Sequence, residues 1–489
     1  MAVNLKYIFV LMLENRSFDH MFGFSGLNGT DAATGVPTSI LGLGGHESNT
    51  VRGVSYLVER GADYVMPTDP GHEFLNVLDQ LCGPAAHYTA GGAYPPIDLS
   101  GFVDSYDKSG GTANLTEVMK CFDTPRQLPV VYTLAQEFAL CDQWYASMPG
   151  PTWPNRMFAH AGSSGGLDHS PTKPEIFEWE SVDGFQFPHG SIYDLLKKGG
   201  ISYRFYAGDD FPMVAALKGV TLFDIRSLSS LKSDLTTATF PYNYVFIEPS
   251  YDVFGDYRNG TCQHPLADVR SGEGLIAEVY EAIRNSPLWN DSLLIVTWDE
   301  HGGFFDHLPP PPATPPADTL ANSRYTQYGF TFSQYGPRVP ALVISPFIPR
   351  NTIDHRVYDH ASIPASISVL HSLPHLTNRD ASARNVLPLL SLDVARTDCP
   401  SALPSPVAAP PLAALATSAL GASGRPARAD DSVNGSNLPA ILQSAVRQDL
   451  LASPGDKAAI LDRVARIGTR QDAMDYMNAV RAKLRSVRH

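Results

Sequence analysis

Four short apolar segments constrain the fold of this chain more than any other feature of its sequence. They are rich in β-branched and aromatic residues and occupy positions 7–13, 244–247, 293–298 and 341–345. Unbroken apolar runs of this length are typical of strands that are buried on both faces, as in a parallel sheet. Between them, residues 272–285 place Leu275, Val279 and Ile283 on one helical face. The alternation of strands and helices predicts an α/β fold.

Three of these apolar segments end at acidic residues. The first is followed by Glu14-Asn15, the second by Glu248, and the third by Asp299-Glu300. Open α/β sheets bind their ligands beyond the carboxyl ends of the strands, so these side chains stand where such a fold builds its site. The alternative is that the strands simply end in polar loops, as most strands do.

Charge and composition exclude some classes of protein. The net charge of −14 argues against a nucleic-acid partner, because phosphate backbones are bound by an excess of Lys and Arg. No apolar run approaches the roughly 18 residues of a transmembrane helix. The N-terminal apolar run is too short for a signal peptide, which predicts a cytoplasmic protein, with a secreted mature form as the alternative. The five cysteines have no CxxC spacing and indicate neither a zinc cage nor a disulfide framework.

Composition also divides the chain into three parts. We expect a catalytic domain over 1–397, a linker rich in Pro, Ala and Ser over 398–431, and a helical C-terminal extension over 432–489. The last helix of the extension ends in four basic residues, which are Arg481, Lys483, Arg485 and Arg488. A solvated helix face explains them better than an anionic surface, and transient contact with a membrane surface stays an alternative.

The strongest local signal is the segment Pro149-Gly-Pro-Thr152-Trp-Pro-Asn155-Arg156. A Gly/Pro turn leads into Thr152, and Pro154 stands where a helix can begin. The unpaired N–H groups of a helix N-terminus suit a phosphoryl group, and a hydroxyl placed there could attack phosphorus. Taken alone, the segment fits an ordinary N-cap threonine better.

Candidate oxygen ligands for a metal ion follow two of the predicted strands. Glu14, Asn15, Asp299 and Glu300 offer hard oxygen atoms, which favour Mg, Ca or Mn, although single carboxylates also bind zinc. A metal ion that contacts the Thr152 hydroxyl would lower its pKa and activate it near neutral pH. The alternative is a set of surface carboxylates or helix caps.

Histidines in polar loops form the third component. They are His72, His264, His301, His307 and His360. Each alone is more often a structural histidine than a catalyst. Together, beside acidic clusters, they could hydrogen-bond phosphate oxygens or protonate a leaving alkoxide.

Three motifs, in order, resemble a known family. They are Glu14-Asn-Arg-Ser-Phe-Asp-His-Met-Phe-Gly23, Gly150-Pro-Thr152-Trp-Pro-Asn-Arg156 and Thr297-Trp-Asp299-Glu-His-Gly-Gly-Phe-Phe-Asp306-His. The segment from Tyr335 to Pro346, which contains Arg338, is similar to a further family segment. The resemblance, over about residues 5 to 375, is to the phosphoesterases that comprise bacterial phospholipases C, plant non-specific phospholipases C and related acid phosphatases.

The resemblance implies an alkaline-phosphatase-like α/β fold, with a mixed, mostly parallel sheet between helices, and a covalent phospho-enzyme. It makes Thr152 the nucleophile and assigns one divalent metal ion to Glu14, Asn15, Thr152, Asp299 and Glu300. His72 and His264 match phosphate-contacting or acid/base histidines, and His360 matches less closely. Asn155, Arg156 and His301 are assigned to substrate binding. Because it has threonine rather than serine at position 152, the chain resembles the phospholipase branch of the family.

The sequence therefore predicts a phosphodiesterase of phospholipase C type that acts on a phospholipid or another phosphate ester. An acid-phosphatase-like phosphomonoesterase with the same site is the first alternative. The remote alternative is a non-catalytic binding protein that retains the pocket. The sequence identifies neither the metal nor the headgroup.

Overall fold

The structure is a computed structural model that describes residues 5–111, 114–175, 184–237, 239–318, 325–408, 428, 430–434 and 437–487. Its strands are β1 (Tyr7–Leu13), β2 (Asn28–Asp31), β3 (Pro37–Ser39), β4 (Ser48–Val51), β5 (Val54–Leu57), β6 (Glu59–Arg60), β7 (Lys120–Cys121), β8 (Ala139–Cys141), β9 (Trp144–Tyr145), β10 (Tyr203–Ala207), β11 (Ile225–Ser227), β12 (Tyr244–Glu248), β13 (Ser292–Trp298), β14 (Ala341–Ile344), β15 (Thr352–Asp354) and β16 (Tyr358–Asp359).

The helices are α1 (Phe18–Phe22), α2 (Phe74–Cys82), α3 (Phe102–Lys108), α4 (Thr124–Gln127), α5 (Pro129–Glu137), α6 (Thr152–Ala161), α7 (Ile192–Lys198), α8 (Leu231–Asp234), α9 (Val269–Arg284), α10 (Ser362–His371), α11 (Asn378–Ser382), α12 (Leu438–Ala452), α13 (Lys457–Ala465) and α14 (Arg470–Val487). Short 3-10 helices, including Met213–Ala216, connect several of these elements.

A ten-stranded sheet in the order β11-β10-β12-β1-β13-β14-β8-β15-β2-β3 organises the catalytic part. The five strands from β11 to β13 run parallel, as do β8, β15 and β2. Strand β14 runs antiparallel to both of its neighbours, and β3 is antiparallel at the edge. The α/β class with a mixed, mostly parallel sheet is therefore confirmed.

The four apolar segments of the sequence form the centre of this sheet. They become β1, β12, β13 and β14, and nearly every residue in them is buried, as strands covered on both faces require. The predicted helix over 272–285 is the central part of α9. Strands β1 and β13 pair in register from Tyr7 to Leu13, so the residues that follow them emerge side by side.

The C-terminal region is helical, as expected, and it packs directly on the sheet region. Helix α12 is buried along almost its whole length, and Leu438, Ile460 and Met477 belong to the same hydrophobic cluster as the central strands. In the expected linker, residues 399–403 lie along α9, where Tyr280 donates a hydrogen bond to the carbonyl of Pro400. Residues 409–427 and 429 fall outside the described part.

Two of the four basic residues of α14 have acidic partners in the protein. Arg481 pairs with Asp210 and Lys483 with Asp449. Arg485 is exposed, and Arg488 lies outside the described residues. These ion pairs indicate that the basic residues of α14 bind acidic groups of the protein itself, and they argue against a binding site for an anionic surface. Within the described ranges, no helix combines the length and apolar character that membrane crossing needs.

Candidate active site

The ends of β1 and β13 bring the two predicted acidic motifs together. Because Leu13 pairs with Trp298, Glu14-Asn15 and Asp299-Glu300 leave the sheet at the same level. The backbone N–H of Asn15 donates to Asp299 Oδ1 at 3.0 Å, and the Asn15 side-chain amide donates to Glu300 Oε1. All four side chains are fully buried. The expectation that distant acidic motifs converge at the carboxyl edge of the sheet is thus met in the geometry.

Thr152 lies at the first position of α6, and Pro151 rather than Thr152 is the N-cap residue. The Thr152 hydroxyl is buried and has no hydrogen-bond partner among the described residues. The alternative interpretation of Thr152 as an ordinary capping threonine is therefore wrong, because its side chain caps nothing. A buried hydroxyl without a partner is costly, which favours a ligand that supplies one.

Asn155 fixes the loop that leads to Thr152. Its side-chain Oδ1 accepts from the backbone N–H of Met148, and its amide donates to the carbonyls of Gly150 and Pro151 at 2.9 and 3.0 Å. Sequence reasoning placed Asn155 on the substrate. In the structure its polar atoms are occupied by this loop, which favours a positioning role.

Arg156 ties α6 to both strand ends. Its Nε donates to Asp299 Oδ2 at 2.8 Å, and one Nη donates to the carbonyl of Leu13 at 3.0 Å. Its other Nη has no partner among the described residues, so that atom alone is available to a substrate. One helical turn separates Arg156 from Thr152, so these contacts bring the start of α6 to the acidic motifs.

The donor set at these strand ends fits a divalent cation. Three buried oxygens, Glu14 Oε2, Asn15 Oδ1 and Thr152 Oγ1, have no hydrogen-bond partner among the described residues. Burial raises the pKa of Glu14 well above its usual value, and the charge of Asp299 adds to the rise. Burial also raises the pKa of Asp299 despite its contact with Arg156. Within the described part of this cluster, Glu14 is the carboxylate with an unpaired oxygen, because both oxygens of Asp299 and of Glu300 accept hydrogen bonds from protein groups. Three buried carboxylates with one such oxygen are an environment that a hard cation satisfies.

His72 and His264 face each other beside Asp69. Their ring centroids are 6.2 Å apart, and His264 Nε2 lies 3.5 Å from Asp69 Oδ2. Burial opposes protonation of His72, but the charges of Glu300 and Asp69 outweigh it and raise its pKa to about 9. Burial lowers the pKa of His264, whose ring stacks on Tyr257. One histidine thus favours the charged form and the other the neutral form, a division that suits an acid and a hydrogen-bonding partner.

His301 and His360 contact the acidic motif through protein groups. His301 Nε2 lies 2.7 Å from Gln80 Oε1, and its Nδ1 lies 3.3 Å from Glu300 Oε2. His360 Nε2 donates to the carbonyl of Asp299 at 2.6 Å, while its Nδ1 accepts from the Trp144 indole. The substrate-binding role of His301 and the catalytic role of His360 stay predictions. Their contacts favour holding Asp299 and Glu300 in place.

A buried charge network beside the site contains His307, which the sequence offered as a possible phosphate-binding or acid histidine, and Asp19 and Asp306, to which the sequence assigned no role. Arg338 donates to Asp19 Oδ1 at 2.9 Å and to Asp306 Oδ1 at 2.8 Å, and His307 Nδ1 lies 2.6 Å from Asp19 Oδ2. The grouping of Asp19, Asp306 and His307 resembles a metal site, but the Arg338 guanidinium already compensates both carboxylates. These residues lie within the motifs that carry the family resemblance, which was the available signal for them.

Comparisons with known proteins identify the family of this chain. Residues 5–374 match the sequence model of the Phosphoesterase family. The chain is 35% identical to non-specific phospholipase C3 of Arabidopsis thaliana over 82% of this chain and 76% of that protein. It is 26% identical to phospholipase C B of Mycobacterium tuberculosis over 76% of this chain and 74% of that protein.

Among solved structures, a protein in the alkaline phosphatase superfamily from Vibrio parahaemolyticus is 15% identical and covers 55% of this chain and 64% of its own, with a TM-score of 0.32. The family match spans most of the chain and includes the converging motifs of the site. The chain therefore belongs to the Phosphoesterase family and is a hydrolase that acts on phosphoester bonds.

Proposed function

We propose that this phosphoesterase is a cation-dependent phosphodiesterase of phospholipase C type that works through a phospho-threonine on Thr152. The observation that carries the proposal is the Thr152 hydroxyl, which is buried without a partner at the start of α6. Arg156, one turn further along, binds the ends of β1 and β13. Phospholipases C among the relatives support a phospholipid as the substrate.

The covalent chemistry takes two displacements at phosphorus. In the first, the Thr152 oxygen bonds to phosphorus while the bond from phosphorus to the glycerol oxygen breaks. The proton that Thr152 loses ends on that glycerol oxygen, with His72 and His264 the candidates for its transfer, and diacylglycerol is released. In the second, a water oxygen bonds to phosphorus while the bond from phosphorus to Thr152 breaks, one water proton returns to the Thr152 oxygen, and the headgroup phosphate leaves.

The cation in this proposal is held by Glu14, Asn15, Thr152, Asp299 and Glu300. When bound, a divalent cation supplies positive charge that favours the Thr152 alkoxide and a phosphoryl oxygen. The support is the fit described above, in which three of these residues carry unpaired buried oxygens. The all-oxygen donor set suits Ca, Mg or Mn, and zinc stays an alternative.

A paired assay tests the substrate class. We expect the purified protein to release diacylglycerol from phosphatidylcholine faster than it releases p-nitrophenol from p-nitrophenyl phosphate. Brisk monoester cleavage without diester cleavage would replace the proposal with the acid-phosphatase alternative. If the folded protein cleaves neither substrate, the result would favour the alternative of a non-catalytic binding protein.

A chelator tests the cation separately. Extended dialysis against EDTA should abolish turnover, and one of Ca²⁺, Mg²⁺, Mn²⁺ or Zn²⁺ should restore it. Full activity in a sample shown to be free of metal by elemental analysis would reject the cation while leaving Thr152 as the nucleophile.

A further inference from the structure

A residue of the C-terminal region reaches the acidic motif of the site. Asn437 Nδ2 donates a hydrogen bond of 3.2 Å to Glu14 Oε1 across 423 residues of chain. Both side chains are buried, with 7% and 0% exposure. The position of Asn437 is the N-cap of α12, where asparagine usually caps its own helix. Here its side chain makes no cap hydrogen bond and is directed to Glu14 instead.

Helix α12 is anchored where the carboxyl ends of neighbouring strands lie. Arg447 donates to the carbonyls of Ala215 and Val220 at 2.7 and 3.0 Å. The loop that contains Ala215 follows β10 and is held in turn by Glu248, at the end of β12, which accepts from Met213 and Val214. The helix is therefore fixed to the edge of the sheet on which Glu14 also lies, and Asn437 has a defined position.

The contact decides which oxygen of Glu14 is available. Oε1 accepts from Asn437, while Oε2 has no hydrogen-bond partner among the described residues. An amide donates a hydrogen bond without bringing a positive charge, so Asn437 does not compete with a cation for Glu14 as a lysine in the same place would. Hydrogen bonds to a ligating carboxylate orient it, and their loss typically weakens metal binding.

We propose that Asn437 is a positioning residue of the active site, contributed by the C-terminal helical region, which orients Glu14 for the divalent cation. The inference rests on the proposed function, because Glu14 is one of the proposed ligands. It makes docking of α12 part of the assembly of the site. The C-terminal region then acts on the chemistry and is more than an added stabilising layer.

Binding of Mn²⁺ to metal-free protein tests this role without relying on turnover. We expect Asn437→Ala to weaken the Mn²⁺ affinity, measured by calorimetry, by about 10-fold or more. Raising Mn²⁺ should restore much of its kcat. The matched control is Asn434→Ala, in the same segment, because Asn434 is exposed and its Oδ1 accepts from the backbone of Lys173, away from Glu14. The control should bind Mn²⁺ like the wild type.

A double-mutant cycle distinguishes positioning from a merely structural effect. In a Glu14→Gln background, Asn437→Ala should cause little additional loss of Mn²⁺ affinity, because both changes act through one carboxylate. If Asn437→Ala lowers the unfolding temperature of the metal-free protein and leaves its Mn²⁺ affinity within twofold of wild type, the inference fails and the proposed function stands. If the wild type binds no divalent cation, the proposed cation and this inference fall together.

Discussion

Thr152 shows how a single side chain can mark the chemistry of a site. Threonine at the start of a helix usually satisfies a backbone N–H, yet here Pro151 is the N-cap and the Thr152 hydroxyl has no partner among the described residues. The loop before it is instead secured by Asn155. Asn155 thus fixes the loop, and in the proposed mechanism the Thr152 hydroxyl supplies the reactivity.

Replacing Thr152 separates the nucleophile from the rest of the site. Thr152→Ala should lower kcat/KM by about 10³ or more, because the attacking oxygen is lost. Thr152→Ser keeps that oxygen and should retain measurable turnover. Acid-quenched wild-type protein should carry choline phosphate on the peptide containing Thr152 after mixing with phosphatidylcholine, as seen by mass spectrometry. A loss below tenfold in Thr152→Ala, with the adduct elsewhere, would reject the role.

Substitution of Gly302 tests how closely the backbone segments of the site are packed. It has a φ of +68°, and a Cβ there would lie 2.2 Å from the carbonyl oxygen of Asn15. Gly302→Ala should therefore displace Asn15, reduce turnover and destabilise the fold, as measured by enzyme kinetics and urea unfolding. Gly200 is the matched control, since its φ is +69° and no atom lies within 4 Å of its added Cβ. Gly200→Ala should cost about 1 kcal/mol of conformational strain and no activity. Equal effects of the two changes would contradict the argument.

At the level of the elements, the sequence predicted those strands that consist of continuous hydrophobic segments. The long central strands β1, β12, β13 and β14 are continuous apolar runs, so their existence and the acidic residues after three of them could be foreseen. Strand β8 has only three residues, Ala139–Cys141, and carries no period that separates it from a loop. The antiparallel direction of β14 depends on long-range pairing that a local pattern does not record.

The candidate site shows the same limit of prediction from local sequence patterns. Glu14 and Asp299 were predictable partners because the ends of neighbouring parallel strands meet at one edge. Asn437 was not, because one asparagine before a helix carries no sign of a partner 423 residues away. The contacts of His301 with Gln80 and of His360 with Trp144 were equally beyond the sequence, because only the fold reveals them.

The network around Arg338 joins three elements and should dominate local stability. Arg338 lies in the segment just before β14 and pairs with Asp19 of α1 and with Asp306 beyond β13, and all three side chains are essentially inaccessible to solvent. Arg338→Met removes the guanidinium from two buried carboxylates and leaves His307 as the partner of Asp19, so we expect a loss of about 3–5 kcal/mol in urea unfolding. As the control, Arg52→Ala removes an ion pair with Asp107 in which the arginine side chain is 75% exposed, and should cost at most about 1 kcal/mol. Similar costs for both variants would show that the network is not a structural support.

For the whole molecule, the proposed role of Asn437 makes the C-terminal region part of the working unit. Its helices share one hydrophobic cluster with the central sheet, and Arg470 donates to the carbonyl of Val253 in the loop after β12. The chain closes on itself, since the residue after the first strand contacts a residue at the start of the last helical region. Where Asn437 orients Glu14 as proposed, a ligand held at Glu14 and the docking of α12 are linked equilibria, and each favours the other to the same extent.

Hydrogen exchange can measure this linkage directly. Addition of Mn²⁺ to metal-free wild-type protein should slow amide exchange in peptides covering 438–452 as well as in peptides containing Glu14 and Asp299, because cation binding favours the docked helix. In Asn437→Ala at saturating Mn²⁺, the peptides at the strand ends should still be protected, while the change over 438–452 should shrink. Asn434→Ala should behave like the wild type, since its contact with Lys173 does not involve Glu14. If Mn²⁺ protects the strand ends of the wild type and leaves 438–452 unchanged, the helix is docked independently of the cation, and Asn437 transmits nothing between them.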